Sequence, residues 1–157
     1  MRRLLKPAAF LIVLTAIGIQ FVRPAKTNPP TNPERALAAR VHVPSDVAAV
    51  FDRACRDCHS NETTWPWYSN VAPVSWFVID HVDHGRSHFN YSNWAKYEPD
   101  EAASLLEDTC ELARKGKMPL PSYLWMHGNA RLAPGDVEQI CAWTKTTLAL
   151  IASHRRP

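Results

Sequence analysis

An all-α domain behind a single transmembrane helix is the architecture the sequence predicts, and three observations carry it. The 157-residue chain opens with basic residues followed by an apolar run. Beyond residue 44 the apolar positions recur three and four apart, the period of a helix. No alternating run of four or more residues argues for a strand.

The first element is the apolar run. From Leu4 to Val22 about 19 positions carry one charge, Lys6, within the roughly 17–25 residues that cross a bilayer as a helix. Arg2, Arg3 and Lys6 on the short leading side place the N-terminus in the cytoplasm and the rest outside. The run ends in Gln20-Phe21-Val22-Arg23-Pro24, without a small-x-small cleavage pattern, which favours an uncleaved anchor over a removed secretory signal. Either way the remainder is exported; in a bacterium the domain then stands on the periplasmic side of the inner membrane. Residues 1–22 form the anchor. Residues 23–44, with Pro, Asn and Ala and no sustained apolar period, form a tether. Residues 45–157 form the domain.

Within that domain Ser45 is placed to cap a helix running to about Cys58, with Val47, Val50, Phe51 and Ala54 on one face. Ser60 to Pro73 is a loop bearing Trp and Pro. A second helix covers about Val74 to Arg86, with Gly85 near its end. A third opens near Pro99, a proline suited to the first turn, and runs through Leu105, Leu106 and Cys110 towards Gly116. Gly116 to Ala133 is loop. The last helix starts near Pro134 and uses Val137, Ile140, Cys141, Leu148 and Ile151. Ala133 stands where a capping Ser or Thr is usual, so that start is weak.

Composition excludes one class of partner. The formal charge is +3, but setting aside Arg2, Arg3 and Lys6 leaves basic and acidic residues equal at 15 each. No basic stripe remains to hold phosphates, so nucleic acid is not expected to bind. Arg155 and Arg156 read as a solvated tail. Thirteen prolines against five glycines point to stiff loops.

The chemistry is concentrated in Cys55-Arg56-Asp57-Cys58-His59, a C-x-x-C-H motif. At a helix end, two cysteines three apart reach the two vinyl groups of one porphyrin, and the next residue presents its imidazole to the iron. A zinc half-site lacks a second C-x-x-C or H-x-x-x-H. A thioredoxin-like pair lacks a βαβ setting, and a simple disulfide leaves His59 as coincidence. The motif therefore predicts one covalent haem c, with Cys55 and Cys58 as thioether links and His59 as proximal iron ligand.

The opposite face of the iron has two methionine candidates. Met118 lies in Gly116-Lys117-Met118-Pro119-Leu120-Pro121, where Pro119 biases it out of helical geometry; core packing is its competing role. Met126 reads as packing in apolar surroundings. A thioether ligand suits an electron-transfer haem and raises its potential. His81, His84 and His88, at i, i+3 and i+7, are an alternative ligand or metal set without a visible supporting shell, and His127 is a further candidate.

These residues resemble a family, the small bacterial haem-binding domain proteins related to monohaem cytochromes c. The resemblance rests on Cys55 to Thr63, on Trp65-Pro66-Trp67-Tyr68-Ser69-Asn70-Val71-Ala72-Pro73, on Gly85-Arg86, on Phe89-Asn90-Tyr91-Ser92-Asn93-Trp94 and on Met118-Pro119-Leu120-Pro121-Ser122-Tyr123. It implies a cytochrome c-like haem module with Met118 in the family's Met-Pro segment, and no particular substrate.

Trp65, Trp67, Tyr68, Trp76 and Trp94 are expected to wall the porphyrin, and Arg86 is either a propionate partner or a surface cation. Cys110 and Cys141, on the apolar faces of the third and fourth helices, are expected to form a disulfide clamping the Met118 loop; two buried thiols are the alternative. Two functions follow. The first is a one-electron carrier with His59/Met118 ligation and an unidentified redox partner protein. The second is a haem sensor or peroxidase-like enzyme with a displaceable sixth ligand, using His81, His84 or Glu62 as acid–base group.

Overall fold

The computed structural model describes residues 2–153; His154, Arg155 and Arg156 lie outside the described residues. Those residues are helical, with no strand among them. The α-helices are α1 (Arg2–Gly18), α2 (Leu37–Arg40), α3 (Ser45–Ala54), α4 (Arg56–His59), α5 (Val74–His88), α6 (Pro99–Arg114), α7 (Pro121–Leu124) and α8 (Pro134–Ser153). Short 3-10 turns at Trp67–Asn70, Tyr91–Lys96 and Gly128–Ala130 sit in stretches the sequence shows only as loops.

The expected transmembrane helix is corrected: no helix among the described residues is long and apolar enough to cross a membrane. α1 has 17 residues, a rise of roughly 25 Å against a hydrocarbon core of about 30 Å, and it opens with Arg2, Arg3 and Lys6. The apolar run does not continue as an α-helix beyond Gly18, and its end is bound to the domain. Ile19–Phe21 tightens into a 3-10 turn. Gln20 donates to the Ala72 carbonyl and accepts from the Ala72 amide, both at 3.0 Å, and the Trp76 indole donates to the Val22 carbonyl at 2.7 Å.

Residues 23–44 also meet the rest of the chain. Asn28 donates to the Thr63 carbonyl at 2.9 Å, and Leu37 of α2 is buried in the core. That core joins Val47, Val50 and Phe51 of α3 to Leu106 of α6 and to Ile140 and Trp143 of α8. The start of α8 is stronger than Ala133 suggests. Asp136 accepts from the Ala133 amide at 2.7 Å and pairs with Arg53 at 2.5 Å; the Arg53 hydrogen bond and then the amide hold its carboxyl below the usual range.

Cys110 of α6 and Cys141 of α8 are joined by a disulfide, with Cα atoms 4.8 Å apart and a sequence separation of 31. It ties together the helices on either side of the Met118 loop. Loop-closure entropy for this span gives roughly 3–4 kcal/mol. Cys110→Ala with Cys141→Ala is expected to lower unfolding stability by about that amount in denaturant titration, and alkylation of the unreduced, denatured parent should find neither thiol.

Candidate functional site

The motif cysteines sit at a break in the chain rather than at the end of one long helix. α3 stops at Ala54, Cys55 leaves helical geometry at φ −129°, ψ −34°, and α4 restarts for a single turn. Within that turn the amides of Cys58 and His59 both donate to the Cys55 carbonyl, at 3.2 and 3.0 Å. Cys55, Cys58 and His59 are therefore held by one compact backbone loop.

α5 packs across this turn at Gly85. A Cβ built on Gly85 falls 2.4 Å from the Cys58 carbonyl oxygen, so only glycine permits the approach. The glycine marks close packing, not a helix end: α5 continues to His88. The next residue, Phe89, then offers its carbonyl to His59. His59 Nδ1–H donates to it at 2.9 Å, which fixes the tautomer and leaves Nε2 with a free lone pair. Burial lowers the His59 pKa, keeping the imidazole neutral and able to bind metal. Burial also pushes the Cys55 and Cys58 thiols up to about 11. Among the described residues no group of three or more His, Cys, Asp and Glu side chains is placed to hold a metal ion, and that includes His81, His84 and His88.

Asp57, between the cysteines, braces the turn. Its carbonyl accepts from the Thr63 hydroxyl at 2.6 Å, one carboxylate oxygen from the Thr64 amide at 2.9 Å, and the other from the Tyr123 hydroxyl at 2.9 Å. The motif is thus stapled to the loop that follows it and to α7.

Cys55, Cys58, His59 and Met118 line one cavity of about 420 Å³, a size ordinary for a bound cofactor. Its wall is mostly apolar and includes Leu105, Leu112, Phe89 and Tyr91. Met118 is delivered by the end of α6. Gly116, at φ +62°, takes the left-handed position, while the Gly116 amide donates to the Ala113 carbonyl at 3.1 Å and the Lys117 amide to the Leu112 carbonyl at 2.9 Å. This paired closure reverses the chain, and Met118 is the next residue. Met126 is 57% exposed and is not part of the wall.

The aromatic wall differs from expectation. None of Trp65, Trp67, Tyr68, Trp76 and Trp94 lines the cavity. Trp65 donates to Asn28 at 3.1 Å, Trp76 to the Val22 carbonyl, Trp94 packs in the core against Phe89 and Tyr97, and Trp67 is exposed. The aromatic lining is Phe89, Tyr91 and Tyr123 instead. Phe89 and Tyr91 stand in the Phe-Asn-Tyr segment that sequence reasoning used only for resemblance. Arg86 does not line the cavity and is not a free surface cation. It donates to the carbonyls of Ser60 and Thr27 and to the side chains of Asn28 and Thr63, at 2.6–3.0 Å, so it clamps residues 27–28 onto the loop after the motif. His81, His84 and His88 do line the cavity; Glu62 is exposed and outside it.

A family model described as a haem-binding domain matches residues 14–146. No curated protein and no solved structure matches the chain.

Proposed function

The chain belongs to the haem-binding domain family, and from that premise we propose that it is an exported c-type one-electron carrier, with one haem linked to Cys55 and Cys58 and ligated by His59 and Met118. The observation that carries this reading is the convergence of both cysteines, His59 and Met118 on one apolar cavity. A haem bound there supplies one reversible electron through its iron. The protein's own part is to orient and insulate. The Phe89 carbonyl holds His59 with Nε2 free, and the Gly116 closure presents the Met118 thioether at a set position. A thioether ligand within a mostly apolar wall favours the ferrous state. Export to an oxidising compartment, the periplasm in a bacterium, is supported by the Cys110–Cys141 disulfide. The redox partner is a second protein that the haem reaches by one-electron exchange.

A second reading, a sensor or peroxidase-like protein with a displaceable Met118, draws on one observation: His81 and His84 line the same cavity and offer imidazoles for proton transfer. Carbon monoxide added to the reduced protein separates the two. The carrier reading expects no prompt spectral change; prompt binding favours the displaceable ligand. Met118→Ala is expected to remove the Met–iron charge-transfer band of the ferric protein, lower the potential and leave the haem covalently attached. The same outcome from Met126→Ala, with Met118→Ala silent, would reverse the ligand assignment.

A further inference from the structure

A file of aromatic rings leads from the cavity wall to the surface. Tyr123 lines the cavity and stacks on His127, with ring centres 4.0 Å apart and planes 13° apart. His127 meets Tyr68 edge-on at 6.2 Å, and Tyr68 meets Trp67 edge-on at 5.8 Å. Trp67 ends the file with 72% of its surface exposed. Packing alone does not explain a continuous series of ring contacts that ends at the surface.

Both phenols in the file also have a proton acceptor. Tyr123 donates to an Asp57 carboxylate oxygen at 2.9 Å. His127 Nδ1–H donates to the Tyr123 carbonyl at 3.1 Å, which leaves Nε2 as the acceptor facing the Tyr68 hydroxyl at 3.4 Å. A tyrosine gives up an electron readily only when its proton has somewhere to go, and each tyrosine here has that provision. His84 and His88, on the cavity wall, are exposed, so a small solute reaches the cavity from solvent.

We infer that Tyr123, His127, Tyr68 and Trp67 form a relay that drains oxidising equivalents from the haem site when hydrogen peroxide enters it, ending in oxidation of the Trp67 indole at the surface. This rests on the haem-binding reading above, in its second form with a displaceable Met118. Peroxide accepts two electrons and two protons and leaves as two waters. Trp67 supplies both electrons in two one-electron steps and gains one oxygen from solvent water with loss of two protons. The sum is Trp67 plus one hydrogen peroxide giving hydroxytryptophan and one water. In each step Tyr123 lends its proton to Asp57 and Tyr68 lends its proton to His127, and both take it back as the electron from Trp67 arrives.

Trp125 is the internal control. It is 84% exposed, more than Trp67, and it is in no ring pair among the described residues. Purified holoprotein is treated with equimolar hydrogen peroxide and digested, and the peptides are weighed; the peptide holding Cys55 and Cys58 reports covalent haem in the same sample. Oxygen addition is expected at Trp67 well above Trp125. In Tyr123→Phe and in Tyr68→Phe it should fall to the Trp125 level, and in Tyr68→Phe, outside the cavity wall, the haem spectrum should be unchanged. Equal oxidation of the two tryptophans, or undiminished Trp67 oxidation in both variants, overturns the relay while the haem reading stands. Absence of haem in the untreated protein overturns both.

Discussion

Gly85→Ala is expected to prevent the haem motif from closing against α5. The added Cβ would stand 2.4 Å from the Cys58 carbonyl oxygen, 3.0 Å from its carbon and 3.1 Å from its Cβ. Two of these three atoms are backbone, so no side-chain rotation relieves the clash. Overpacking of this kind costs about 1–3 kcal/mol and more when backbone must move. Here backbone movement also displaces Phe89, whose carbonyl holds His59. A loss in melting temperature of about 2–4 °C per kcal/mol is expected, together with a smaller yield of haem-loaded protein. Gly135→Ala is the control, because a Cβ there meets nothing within 4 Å. Wild-type stability and haem loading in Gly85→Ala would refute the packing account of this turn.

His59→Ala has the second large effect. It removes the proposed proximal ligand and leaves the buried Phe89 carbonyl without its donor, a cost of about 1–3 kcal/mol before any loss of haem. A ligand that binds only the folded state stabilises it by mass action, so loss of iron ligation compounds the defect. The variant is expected to melt at lower temperature and to lack the low-spin spectrum of a six-coordinate haem, even where thioether links form. A low-spin spectrum like the parent's would mean that His81, His84 or His88 ligates the iron, since all three line the cavity.

Much of the fold and site can be read in the chain because it is encoded locally. C-x-x-C-H is a five-residue pattern, and the prolines at 99 and 134 mark the starts of α6 and α8. Met118 follows from its place after Gly116 and before Pro119. Cys110 and Cys141 follow from helical phase, each falling on the side its helix turns to the other. What escapes the sequence is set by contacts between distant segments. Gly85 looks like a helix stop, yet its role is contact with a residue 27 positions earlier. Arg86 looks like a surface cation, yet its partners lie in residues 27–28 and 60–63.

The tryptophans mislead for a related reason. Their number near the motif suggests a haem wall, but indole N–H groups at Trp65, Trp76 and Trp143 each find an oxygen in residues 22–42. They fasten the N-terminal segment to the domain and leave the lining to Phe89, Tyr91 and Tyr123. The apolar run at the start is long enough by count to span a bilayer. It is shortened by the hydrogen bonds of Gln20 and Trp76, which depend on residues 50 or more positions away.

The central claim is that haem is attached covalently through Cys55 and Cys58, and denaturing electrophoresis with in-gel haem detection tests it most directly. Protein matured with a haem-attachment system is compared with Cys55→Ala/Cys58→Ala, and the intact mass of each is measured. The parent band should retain haem and carry the mass of one haem, while the double variant should carry neither. A parent band free of haem, or haem persisting in the double variant, would contradict the claim.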